Sequence, residues 1–263
     1  MKKSFAVALS FVFLLFAPLR ALAIDYSDIW WNPAENGWGV NIAQSDNFIF
    51  ATFFVYGPNN QPIWYAGNLA ADGNGNYTGG LYSTMGTYFG TVPYNPGQPP
   101  PTQVGVATFS PTAPDTAVLS YNVGGVNVVK NIQRQTLTTI ALGGSYTGGQ
   151  GGAYSGCTNS GNNFGYKDTF DLEVTQPGDG TATFAFSYAS GLSCTLSGTL
   201  QQKGMLYSIP NASYSCDDGM NKLNTSASLS EIKATSLGIE GVLAAPSVDG
   251  GCREDATFSG VLL

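Results

Sequence analysis

Between Trp30 and Tyr65 the chain reads WWNPAENGWGVNIAQSDNFIFATFFVYGPNNQPIWY. Apolar residues alternate there with small or polar ones, and tight turns interrupt the pattern. In Gly37 to Gln44, Trp38, Val40 and Ile42 fall on one face and Gly39, Asn41 and Ala43 on the other. A period of two is that of a half-buried strand, not of a helix. Asp28 to Trp31 reads as a short aromatic strand ended by Asn32-Pro33. Phe48 to Tyr56 is apolar on both faces and predicts a central, doubly covered strand. Pro62 to Leu69 returns beside it.

The pattern continues through Asn76 to Ser83, Val104 to Ser110, Thr116 to Val123 and Val126 to Gln135. Gly124-Gly125 closes the last pair as a two-residue hairpin. The proline-rich run from Val92 to Gln103 is a loop, because proline has no amide to give a sheet. After Thr136 to Ala141 tryptophan disappears, cysteine appears and glycine and serine become denser. A second series follows: Leu142 to Thr147, Asp168 to Gln176, Ala182 to Tyr188, Cys194 to Leu200, Met205 to Tyr214, Ser226 to Lys233, Leu237 to Leu243 and Ala256 to Leu262. Gly148 to Asn163 reads as a Gly/Ser/Asn loop around Cys157. So many antiparallel strands avoid open edges by closing up. The expected fold is all-β, two tandem meander β-barrels of lipocalin- or avidin-like architecture, with two β-sandwiches as the alternative. An aromatic-rich domain spans 24–138 and a disulfide-containing one 139–263.

Residues 1–23 have the layout of a signal peptide: Lys2-Lys3, an apolar stretch from Ala6 to Leu19, then Ala21-Leu22-Ala23 before the cleavage point. The apolar run is shorter than the roughly 20 residues of a membrane span. The mature chain is therefore expected in the periplasm or secreted, with no membrane span. Without the leader, seven basic residues face seventeen acidic ones, a net charge near −10. Phosphate binding needs clustered Lys and Arg, so a nucleic-acid partner is not expected. Cys157, Cys194, Cys216 and Cys252 form an even set in an exported chain, which favours disulfides over metal ligation. Three pairings are possible. Cys194–Cys216, across one hairpin, with Cys157–Cys252 is the favoured one.

Trp30 to Gly39, WWNPAENGWG, resembles a W-W-x-P-x-E-x-G-W-G motif of a group of exported bacterial proteins. In that group an apolar strand like FIFATFFVY and a PxWY segment like Pro62 to Tyr65 follow. The similarity extends to Val126–Gln135 and so covers the first half. The second half, from Gly144 to Val261, looks like a separate module found in similar company. The resemblance implies fold and address, and no activity.

The chain has no histidine. Ser-His-Asp and Cys-His arrangements and imidazole zinc sites are thereby excluded. No cofactor or metal is implied. Asp72 to Asn76 matches the opening of a calcium loop, but Tyr77 takes its glycine position and Ser83 its last ligand position, so a hairpin turn is the better reading. Glu35, between Trp31 and Trp38 with no cation nearby in sequence, is the one catalytic candidate, through a raised pKa. Asp25, Asp28 or Asp46 could partner it in a two-carboxylate glycan-cleaving site. Its structural role would be to accept backbone amides in the turn before the Gly37 strand. The other signal is aromatic: Trp30, Trp31, Trp38, Trp64 and Tyr65, supported by Tyr56, Tyr82 and Tyr88. Such rings either fill a barrel or stack on a ligand. Trp30 and Trp31 are adjacent and must face opposite ways, so one lies outside the core. The leading reading is an exported binding protein for a glycan or small apolar molecule. A structural or cell-surface assembly protein and an acidic glycan-cleaving hydrolase are the alternatives.

Overall fold

The computed structural model describes residues 24–95 and 100–263. The signal peptide expected at 1–23 and part of the proline-rich loop, 96–99, lie outside the described residues. The first barrel comprises β1 (Asp28–Trp31), β2 (Gly39–Ser45), β3 (Phe48–Tyr56), β4 (Pro62–Ala71), β5 (Tyr77–Ser83), β6 (Thr102–Ala113), β7 (Thr116–Val123) and β8 (Val126–Arg134). Each pairs antiparallel with the next, and β8 closes on β1 through Trp30↔Arg134 and Trp31↔Gln133. Inward residues from every strand fill the interior, among them Trp30, Val40, Phe53, Leu81, Phe109 and Leu119. A ligand inside this barrel would have to displace them.

The second barrel comprises β9 (Gly144–Ser155), β10 (Gly165–Thr175), β11 (Thr181–Tyr188), β12 (Ser193–Thr199), β14 (Leu206–Asp217), β15 (Lys222–Ala234), β16 (Gly238–Pro246) and β17 (Arg253–Leu262). It closes through β17 on β9 and β12 on β14, while β13 (Gln201–Lys203) rides on β14. Both halves are therefore closed meanders, not sandwiches. Cys157 bonds Cys252 and Cys194 bonds Cys216, the pairing favoured from the sequence. No helix among the described residues is long and apolar enough to cross a membrane.

Two sequence readings need correction. Gly148 to Ser155 belongs to β9 and is not loop. A Cβ on Gly148 would overlap the Ser259 carbonyl, and one on Gly152 would lie 2.6 Å from the Ala256 Cβ. Close strand contact, not looseness, is what these two glycines serve. The second correction concerns β3. Ile49, Ala51 and Phe53 are buried, but Phe48, Phe50, Phe54 and Tyr56 stand exposed on the outer wall. A closed barrel has one interior, and nothing among the described residues covers the other face of this strand.

The barrels are fastened where the base of the first meets the β13–β14 turn of the second. Arg134 is buried there, 3.2 Å from Asp28 Oδ2, and its guanidinium donates to the carbonyls of Asp25, Ser27 and Pro114. It also lies 5.1 Å from the Trp30 ring centroid. Asp28 Oδ2 accepts the Met205 amide at 3.1 Å, and Lys203 pairs with Asp115 at 2.7 Å. Gly204, at φ 62°, passes so close that a Cβ would overlap Asp28 Oδ2.

Candidate functional site

Strand register aligns one row of outward residues across the first barrel. Trp30 faces Val40 between β1 and β2, which sets Trp31 beside Gly39; Gly39 faces Phe54, and Phe54 faces Trp64. Phe54 and Trp64 are 56% and 51% exposed. Trp31 and Phe54 are anchored two strands apart, roughly 10 Å. Between them Gly39 contributes no side chain. The result is a slot of about 330 Å³ lined by Trp31, Trp38, Gly39 and Phe54, with the amides of Asn36, Asn41 and Gln135 at its margin. Those three side-chain amides have no hydrogen-bond partner among the described residues. The Trp31 Nε1 is buried without an acceptor. No Lys or Arg occurs between Arg20 and Lys130, so the wall from β2 to β7 carries no cation.

The candidate residues separate according to which way their strands turn them. Trp31 and Trp64 lie in the outer row. Trp38 and Tyr65 are half-buried against the barrel core, and Trp38 also lines the slot. Trp30 leaves the candidate set: it is fully buried, edge-on to Phe109 at 5.0 Å, with Nε1 donating to the Tyr26 carbonyl. Phe54 and Gly39 complete the slot and were not singled out from the sequence. Their importance comes from register, which puts residues 15 positions apart side by side.

Glu35 does not have the environment expected of it. Lys130, 95 residues away in sequence, reaches it from β8 at 2.7 Å, and the Trp38 Nε1 donates to it at 3.0 Å. The Lys130 hydrogen bond holds its carboxyl below the usual range, opposite to what a general acid requires. Asp28 is committed to Arg134 and Asp25 to Lys233, while Asp46 sits in the β2–β3 turn at φ 53°. The two-carboxylate reading is therefore set aside. Asp72 accepts the backbone amides of Asn74 and Asn76 within its hairpin. Among the described residues no group of three or more His, Cys, Asp or Glu could hold a metal ion.

A polar cluster lies inside the second barrel. Glu254 is buried and accepts hydrogen bonds from Tyr166 and, at 2.9 Å, from Gln150 Nε2. Tyr188 donates to Gln150 Oε1 at 2.6 Å, and Tyr154 stacks on Tyr166. Burial pushes the Glu254 carboxyl up, and the Tyr166 and Gln150 hydrogen bonds offset this only in part. Burial, reinforced by Glu254, also raises Tyr166 and Tyr188 and moves Tyr154 to about 12. The phenols therefore remain donors at neutral pH. Gln150, Tyr166 and Tyr188 come from consecutive strands, but Glu254 arrives from β17, 104 residues after Gln150, and no local motif announces the cluster.

No protein-family model matches the chain, and no curated protein matches it in sequence. Solved structures similar to it include a variant of transferrin-binding protein B from Haemophilus parasuis, at 11% identity and TM-score 0.31, covering 88% of this chain and 67% of that one. Transferrin-binding protein B from Neisseria meningitidis aligns at 11% identity and TM-score 0.30 over 90% and 69%. A protein of unknown function from Nostoc punctiforme aligns at 11% and 0.27 over 90% and 94%.

Proposed function

We propose that this is an exported, non-catalytic binding protein that holds a neutral glycan against the outer wall of its first barrel. The observation that carries the reading is the row Trp31–Gly39–Phe54–Trp64: a half-buried ring and two exposed ones about a slot, bordered by unengaged amides, on a wall that has no cation from β2 to β7. Flat rings bind the apolar faces of sugars, and amides satisfy the hydroxyls around their edges. A charged ligand would find no free counter-ion there, because Lys130, the cation beside the slot, is already paired with Glu35. The segment that resembles the exported bacterial group falls on the slot, since Trp31, Gly37, Trp38 and Gly39 line it. Two disulfides are consistent with an exported protein. The packed interior argues against a small apolar molecule held within the barrel.

A second reading, docking in a cell-surface assembly, is favoured by one observation. Phe48 and Phe50 extend the exposed apolar surface along β3 beyond the slot, and contiguous exposed apolar surface marks interaction sites.

Titrating the protein with neutral oligosaccharides while following tryptophan fluorescence tests the first reading. A central ring of an interface is worth roughly 2 kcal/mol or more, so Trp31→Ala or Trp64→Ala should weaken binding by at least about tenfold. Quenching unchanged in both variants rejects the site. Binding of apolar protein surfaces but of no oligosaccharide favours the second reading.

A further inference from the structure

Between the base of the first barrel and the wall of the second lies a groove of about 930 Å³. Its floor is a cross-strand row, Thr169–Gly149–Ser259–Glu240–Lys233, in which each residue faces the next across a strand pair. A parallel row, Lys167–Gly151–Thr257–Val242, lies beside it. Ile24, Asp25 and Arg134 form the opposite wall.

The floor glycines differ from their neighbours. Gly148 and Gly152 are required by close backbone approach. A Cβ on Gly149 would come no nearer than 3.6 Å to another group, and one on Gly151 no nearer than 3.9 Å, where it meets the Lys167 stem. Neither has the positive φ that demands glycine. Larger residues would fit the barrel at both positions; what they would fill is the groove.

Charge is segregated along it. Arg134 is taken by Asp28 and Lys233 by Asp25. That leaves Glu231 and Glu240 at the β15–β16 end and Lys167 at the β10 end, none of them ion-paired among the described residues; Asp168, which also lines the groove, follows Lys167 on β10 and by strand alternation turns its side chain to the other face. Glu231 is delivered by a bulge at φ 54°, where the β15–β16 register shifts. Lys167 and Glu240 stand three strand spacings apart and two residues out of register, roughly 16 Å between backbones. An extended chain advances about 3.4 Å per residue, and the Lys and Glu side chains reach in from both ends, so about four residues fit between their charges.

We propose that the groove binds a short linear peptide of about four residues with both ends free, its ammonium at Glu231 and Glu240 and its carboxylate at Lys167. The peptide lies across the strands, over the Thr257 and Ser259 hydroxyls and above the bare backbone of Gly149 and Gly151. Every strand of the floor, β10, β9, β17, β16 and β15, is paired on both sides and offers no open edge there, so recognition falls on the two termini.

Calorimetric titration of the protein with tetra-alanine, N-acetyl-tetra-alanine and tetra-alanine amide tests this. The free peptide should bind, and blocking either end should weaken it at least tenfold. Glu231→Gln/Glu240→Gln should mimic the acetylated peptide's loss and Lys167→Ala the amide's. Gly151→Val should abolish binding while tyrosine near-UV circular dichroism stays unchanged; if that variant misfolds, Gly151→Ala gives a graded loss. No binding of free peptides of three to six residues overturns the proposal, as does affinity indifferent to end-blocking. If the chain's own amino terminus near Ile24 occupies the groove, tetra-alanine will not bind and the double Gln variant will lower the melting temperature by itself, which also overturns it. Oligosaccharide binding at the Trp31 slot should be unaffected by Gly151→Val.

Discussion

Replacing Arg134 by methionine should weaken the first barrel far more than loss of an ordinary ion pair. The guanidinium is 1% exposed and serves Asp28, three carbonyls and the Trp30 ring together. Methionine fills much of the same volume but leaves Asp28 charged, buried and short of its cation. Removing one partner of a buried pair costs about 3–5 kcal/mol. For urea unfolding with a slope of about 1–3 kcal/mol/M, that moves the midpoint down by roughly 2 M. All four tryptophans lie in the first barrel, so tryptophan emission follows this barrel without contribution from the second. Arg134→Met/Asp28→Asn should recover part of the loss, because the orphaned charge is then gone. A single-variant loss below about 1 kcal/mol, the range of exposed pairs, would refute the claim that this contact anchors the barrel base.

Gly204→Ala should lower stability by about 1–3 kcal/mol, from left-handed strain plus collision with Asp28; an unchanged melting temperature would show that the β13–β14 turn does not fasten the junction. Glu254 has a folded pKa above its unfolded value, so its contribution is fully present below the usual carboxyl range and is lost as pH rises through the folded value. The thermal transition that leaves tryptophan emission unchanged, that of the second barrel, should then come lower at pH 8 than at pH 4.5, and Glu254→Gln should flatten that dependence; equal slopes in the two proteins would contradict it. Cys157→Ser/Cys252→Ser opens a loop closed across a sequence separation of 95 and should cost about 4.7 kcal/mol in the chain-entropy model, while free-thiol titration of denatured, unreduced native protein should find none.

Strand positions were readable because alternation is local. Val40 and Ile42 turn inward, and Gly124 and Gly125 take the positive φ of 57° and 85° that a two-residue hairpin needs. Glycine misled where its role depended on a distant strand: Gly148 and Gly152 are shaped by β17, about a hundred residues onward. The same limit governs chemistry. Glu35 was read without Lys130, and Gln150, Tyr166, Tyr188 and Glu254 meet only after the second barrel closes. The slot itself was half legible. Its tryptophans stood out by type, but Phe54 and Gly39 acquire meaning only from register.

The junction also bears on how the molecule can be divided. Along the chain the break falls between Arg134 and Gly144; in space it does not, because Asp28 takes a hydrogen bond from Met205 and Gly204 is pressed against Arg134. A fragment ending in that linker would carry away a carboxylate and a guanidinium while leaving behind the turn that seals them. Its newly wetted underside would report the missing half as instability, even though every strand of its own sheet was present.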